Sequence, residues 1–314
     1  MRTERRAAVL TERRAALVVA GIATLWGSVG VVVRQVDLPA VALVSARIWL
    51  AAPALAVFLR ISGRSSSWSW RPSWLLLLNG VVLAAHWVSF IAALQRAPIG
   101  TVLLITYLAP VGIAALAPVF LGEVVPVRTK AALAVAVAGI ALIAAPALSG
   151  SSGDGILLAL VTGALYVPLA LLNKSLSTTI GGVPLALWQL LIAGVVIAPF
   201  AVVADWSAPG GDWAWLAVLG LVYTAFAFAS YLVALQHLPA TRAAVLLYLE
   251  PAAAVGFGWL LLSEDPTVGM LLGGAMVVGA GALVARTPVA PEVPPVVIEP
   301  DPTAEAKGDS GVPG

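Results

Sequence analysis

The chain has no cysteine, only two histidines and few charges: Asp, Glu, Lys and Arg together make up 10% of its 314 residues. Without cysteine there is no disulfide, no thiolate nucleophile and no cysteine-held metal. His86 and His237 alone cannot build a histidine-rich metal centre. A charge content this far below the roughly 25% of soluble domains excludes an ordinary water-facing surface. No Walker loop is present, which argues against direct ATP drive. Nothing in the chain offers a nucleic-acid site, and the basic N-terminal residues suit anionic lipid better. What fills the chain is apolar: hydrophobic residues make up 61% of it, and the mean hydropathy is +1.02. An all-α integral membrane protein follows.

A helix needs about 20 apolar residues to cross the hydrocarbon core. Ten runs of suitable length occur, near 16–34, 40–60, 74–95, 99–121, 128–147, 155–173, 183–204, 213–236, 241–262 and 267–285. The first run is longer than a signal-peptide core and lacks a clear cleavage site, so it reads as a retained span. Pro126 and Pro266 stand where new helices start, and there a missing N–H costs nothing. Residues 1–15 form a basic arm, and 287–314 a Pro-rich, polar tail expected to be disordered. With the N-terminus inside, the inner segments near the membrane hold 13 Lys and Arg, and the outer loops only Arg34 and Arg96. That asymmetry places both termini in the cytoplasm, and the excess of Arg over Lys with abundant Ala suggests a bacterial source and hence a plasma membrane.

The stretch Ala93–Glu123 returns without a gap as Ala234–Glu264, offset by 141 residues. The copies share Gln95/Gln236, Pro98/Pro239, Tyr107/Tyr248, Pro110/Pro251 and Glu123/Glu264, besides apolar matches. The offset carries the third and fourth spans onto the eighth and ninth, so the repeat unit is five helices. Five is odd, so the halves (16–148 and 149–286) insert in opposite directions. Two inverted five-helix repeats mark secondary transporters, whose site lies near the midplane between the halves.

Trp26-Gly27-Ser28, Arg47, His86-Trp87 with Phe90, Ala93-Leu94, Pro98, Tyr107, Pro110 and Glu123 recur in order, followed by Tyr166, Gln189, Ala234-Leu235, Pro239, Tyr248, Pro251 and Glu264. In this arrangement the chain resembles the EamA-type, ten-helix members of the drug/metabolite transporter superfamily. The resemblance implies metabolite export by alternating access, through a central cavity lined mainly by helices 1, 3, 4, 6, 8 and 9. It implies no cofactor and no metal, and it does not name the substrate.

Seven residues are candidates for the substrate site: Trp26, Arg47, His86, Tyr107, Tyr166, Tyr248 and Glu250. Glu250 lies eight residues after Arg242, about 12 Å into the membrane at a helical rise of 1.5 Å. A carboxylate at that depth serves substrate or proton, or else it pairs with a basic group or tyrosine to join two helices. Arg47 offers a planar fork for a carboxylate, or it caps carbonyls within the bundle. Arg47 is also the nearest candidate partner for Glu250 by depth. His86 is either a substrate or proton ligand or a neutral interhelical donor. Trp26 and Tyr166 hold matching mid-span positions and suit a cavity wall or plain packing. Tyr107 and Tyr248 each precede a helix-breaking proline by three residues, where backbone carbonyls come free. Glu123 and Glu264 read as helix-end acids that complement the N-terminal dipole of the helix that follows. Gly269 and Gly273 give the tenth helix a close-packing face, for a homodimer or for the chain itself.

The leading function is a secondary transporter exporting amino acids or related small metabolites, with protons as one means of coupling. The alternative of the same fold is multidrug or cation efflux. An intramembrane enzyme would need a catalytic cluster at one depth, which the chain does not display. A scaffold without flux leaves the inverted repeat unexplained.

Overall fold

The computed structural model describes residues 11–63, 73–97, 99–144, 152–207, 212–262 and 266–286. Residues 1–10 of the basic arm and the whole tail 287–314, together with Pro98 and Glu264, lie outside them. The described residues form ten helical rods. α1 runs Glu12–Trp26 and resumes as Val29–Val33; α2 is Ala40–Ile61; α3 is Ser73–Leu94; α4 is Ile99–Thr106 followed by Ala109–Leu121; α5 is Val127–Ala144. α6 is Gly153–Ile180 and α7 Gly182–Val202. α8 is Asp212–Val218, then Leu219–Phe228, then Ala229–Leu235. α9 is Ala240–Leu247 and Leu249–Leu262, and α10 is Val268–Arg286. Seven of the rods are long and apolar enough to cross a membrane; in α4 and α10 the unbroken apolar helices Ala109–Leu121 and Val268–Val284 are shorter.

Two ends differ from expectation. α1 starts at Glu12, inside the expected arm, because the Thr11 hydroxyl accepts from the Arg14 N–H and Glu12 sits in the first turn. α6 continues past 173 to Ile180 because its polar end finds partners: Lys174 Nζ donates to the carbonyls of Leu235 (3.1 Å) and Gln236 (3.4 Å). Gly181, with φ of 94°, then turns the chain directly into α7.

The halves are related by a pseudo-two-fold axis, which shows in who packs on whom. α1 packs on α9 as α6 packs on α4; α3 packs on α6 as α8 packs on α1; α2 meets α8 as α7 meets α3. The pairs α2–α7, α4–α9 and α5–α10 map onto themselves. With five helices in each half, an odd number, the second half runs inverted relative to the first. Side chains confirm the relation: Gln95 Nε2 donates to the Leu38 carbonyl, and its repeat partner Gln236 donates to the Ser177 carbonyl. Where α5 crosses α10, a Cβ on Gly139 would stand 2.7 Å from the Gly273 carbonyl oxygen. The small-residue face around Gly273 is therefore used inside the chain rather than left for a second copy.

The face that carries the start of α1 is tied by acids. Glu12 forms an ion pair with Arg242 at the start of α9. Glu123, at the end of α4, accepts from the backbone N–H groups of Ala240 (2.6 Å) and Thr241 (3.3 Å) and from the Thr241 hydroxyl (3.2 Å). This corrects the sequence expectation in one respect. The acid caps a helix N-terminus, but that of α9 in the other repeat rather than that of α5, which follows it in the chain. The opposite face is tied by Asp212, which accepts from the Asp37 N–H at 2.8 Å.

Candidate functional site

Four helices lose regular geometry around one cavity. α1 breaks at Gly27 and Ser28, α4 at Tyr107 and Leu108, and α9 at Tyr248, while α8 widens into a π-helix over Leu219–Phe228. In hydrocarbon such backbone is tolerated only where it is buried in protein or lines a cavity. Here the irregular segments surround a cavity of about 110 Å³, room for a small metabolite. Prolines explain two of the breaks: Pro110 and Pro251 each clash with a carbonyl one turn earlier. At Gly27 α1 comes close to α9, and a Cβ there would lie 2.7 Å from the Glu250 carbonyl oxygen.

Of the seven candidate residues, Trp26, Arg47, His86, Tyr107, Tyr166 and Glu250 line this cavity. Tyr248 does not; it is fully buried behind the wall. Its hydroxyl donates to the Tyr107 carbonyl at 2.8 Å, and the two rings lie 5.6 Å apart. Residues related by the repeat thus meet across the pseudo-two-fold, and Tyr248 braces Tyr107. The Tyr107 hydroxyl in turn donates to the Glu250 carboxylate.

Arg47 stands in the same cavity but is not paired with Glu250. Its Nε donates to the Thr224 hydroxyl at 2.9 Å, and its guanidinium lies 4.2 Å over the Trp87 ring. Thr224 gives its own hydroxyl proton to the Leu219 carbonyl, 2.8 Å away and five residues back along the π-helix. His86 donates from Nδ1 to the Thr162 carbonyl at 3.0 Å, since a carbonyl can only accept. That leaves Nε2 as the acceptor nitrogen. The imidazole is stacked between Tyr166 and Phe90, with centroids 5.3 and 6.3 Å away. Trp26 Nε1 donates to the Tyr223 carbonyl at 3.3 Å, and its ring meets Tyr231 at 5.6 Å.

Other lining residues escaped the sequence reading. Tyr223, Phe228 and Tyr231 come from α8, Asn173 from α6 and Thr106 from α4. Asn173 ends a buried amide chain: Gln189 Nε2 donates to Asn79 Oδ1 at 3.1 Å, and Asn79 Nδ2 to Asn173 Oδ1 at 3.0 Å. The Thr106 hydroxyl is buried without a hydrogen-bond partner. For two of the aromatics a signal existed. The 141-residue offset, carried six residues further back, pairs Trp87 with Phe228 and Phe90 with Tyr231. Trp87 and Phe228 do touch, with ring centroids 5.4 Å apart.

The combination of a cavity within the helix bundle, inverted halves and opposite charges inside it is that of a small-molecule carrier. Known proteins agree. An uncharacterized transporter of Archaeoglobus fulgidus is 29% identical over 84% of this chain and 93% of its own. The pseudopaline exporter of Pseudomonas aeruginosa is 25% identical over 68% of this chain and 75% of its own. A probable terminal-alkyne amino-acid exporter of Streptantibioticus cattleyicolor is 31% identical over 60% of this chain and 65% of its own. One solved crystal structure superposes with a TM-score of 0.73 at 18% identity, covering 85% of this chain and 95% of that one, which speaks for the fold alone. The model of the EamA-like transporter family matches residues 13–145 and again 153–286, one match to each half. The chain is therefore a multi-pass membrane transporter of small molecules and belongs to the EamA-like transporter family.

Proposed function

We propose that this protein exports amino acids or closely related metabolites across a bacterial plasma membrane by alternating access. The observation that carries this reading is that Arg47 and Glu250 line one cavity without pairing with each other. Each is free to face a group of opposite sign on a substrate. Two relatives whose names give amino-acid-type or pseudopaline export lend support. Cation efflux is the second reading, favoured by a carboxylate set among tyrosine and tryptophan rings. Under either reading Glu250 is the candidate for proton exchange.

The test is a comparison of the medium from cells overexpressing the protein with that from cells lacking it. Export predicts amino-acid-type compounds enriched outside the overexpressing cells. Identical media across growth conditions would count against it.

The proposed orientation puts both termini in the cytoplasm, from the excess of Lys and Arg in the inner segments. Because the chain has no cysteine, single probes report cleanly. Ser177 is fully buried, so the neighbouring exposed Thr179 is the better inner position, with exposed Ser207 as the outer one. Ser207→Cys is expected to react with an impermeant maleimide added to intact cells, and Thr179→Cys only after lysis. The reverse pattern would invert the topology.

A further inference from the structure

Arg47 is buried, with 7% of its surface exposed, and no carboxylate among the described residues lies within ion-pair distance of it. Glu250 is equally buried at 8%, and its hydrogen-bond partner is the neutral Tyr107. A protein that keeps two opposite charges out of water normally joins them to each other, because each otherwise bears its desolvation cost alone. This cavity holds them apart, and it does so with specific contacts.

For Arg47 those contacts leave one edge open. Nε is taken by Thr224, and the flat of the guanidinium rests on Trp87. The two terminal nitrogens then form a planar fork of fixed orientation, the geometry that receives a carboxylate in a bidentate manner. The π-helix supplies the hold. Thr224 spends its proton on Leu219 five residues back, so its oxygen must accept, and Arg47 Nε is the donor it meets. On the other side Glu250 keeps acceptor capacity beyond its bond from Tyr107.

We propose that the cavity is a zwitterion site in which Arg47 takes the carboxylate and the Glu250–Tyr107 pair takes the ammonium group of an α-amino acid or near analogue. This rests on the export reading above and sharpens it. The charge balance selects the class. A zwitterion meets both charges at once, whereas an amine leaves Arg47 unmatched, an N-acylated amino acid leaves Glu250 unmatched, and a phosphate dianion adds repulsion from Glu250. Thr224 is a positioning residue that acts through Arg47.

The test uses the purified full-length protein in detergent. Thermal stabilisation is measured with the twenty standard amino acids, their decarboxylated amines and their N-acetyl derivatives as probes. At least one amino acid is expected to bind about tenfold more tightly than both of its matched derivatives, the usual scale for losing a charged hydrogen-bond partner. Arg47→Gln is expected to erase the gap between amino acid and amine. Thr224→Val keeps the shape, removes the acceptor for Nε and is expected to narrow the same gap, a change in selectivity that a purely structural role would not produce. It serves as the second variant should Arg47→Gln fail to fold. Amines that bind as well as their parent amino acids, or a panel in which no amino acid binds, would overturn the proposal. Binding by amines alone leaves export standing with a cationic substrate, whereas failure of export itself shows in the comparison of cell media.

Discussion

Glu250→Gln is expected to give a protein that folds and inserts but loses most transport of amine-bearing substrates. Gln keeps the size and the acceptor oxygen for Tyr107, so the wall around Tyr107 and Tyr248 should hold. What disappears is the negative charge and any exchange of a proton at this position. A charged hydrogen bond contributes about 1.5–3 kcal/mol, so affinity for an ammonium group is expected to fall about 10- to 100-fold. If Glu250 exchanges a proton in the cycle, the dependence of rate on pH disappears with it. Initial rates across pH, for wild type and variant in reconstituted vesicles, give both answers. Equal rates and equal pH profiles would make Glu250 a strut that anchors Tyr107 and nothing more.

The second large effect is expected at the face that carries the start of α1. Glu123→Ala removes three hydrogen bonds from the first turn of α9. Loss of a helix cap costs about 0.5–2 kcal/mol, and Ala240 and Thr241 are buried, which favours the upper end. Opening of this turn is then expected to rise about tenfold, read as faster amide hydrogen exchange over 240–245. The cap joins α4 of one half to α9 of the other, so the variant should also shift the balance between inward-open and outward-open forms. Unchanged exchange over these residues would show that the Glu12–Arg242 pair and the neighbouring packing hold α9 without Glu123.

Much of this was legible in the sequence because membranes restrict the choices. Hydropathy marks the spans, and an ungapped repeat of odd helix number dictates inversion. The same offset matched Tyr107 with Tyr248, and the structure brings those two residues together on the axis. Other features depend on proximity that chain order does not encode. Chain order offers Glu123 the start of α5, whereas space gives it α9. Arg47 was matched to Glu250 by depth, yet depth leaves the angle around the bundle free, and Arg47 turns to Thr224 and Trp87. The π-helix of α8 falls in a stretch without proline, so no residue announces it. Tyr223 and Tyr231 carry no sign of their place in the sequence, because helices that are apolar all round give no periodic mark of which face meets the cavity.

The proposed path of the substrate runs through the cavity bounded by Arg47, Glu250 and the aromatic walls. Thr106 allows the most direct test, because the residue lines that cavity, its buried hydroxyl has no hydrogen-bond partner to lose, and the chain contains no other thiol target. Thr106→Cys is expected to transport and to react with a small methanethiosulfonate reagent. The attached group should block export, and an amino acid that binds should slow the reaction. Full export activity in protein shown by mass spectrometry to be completely modified at this position would contradict the account.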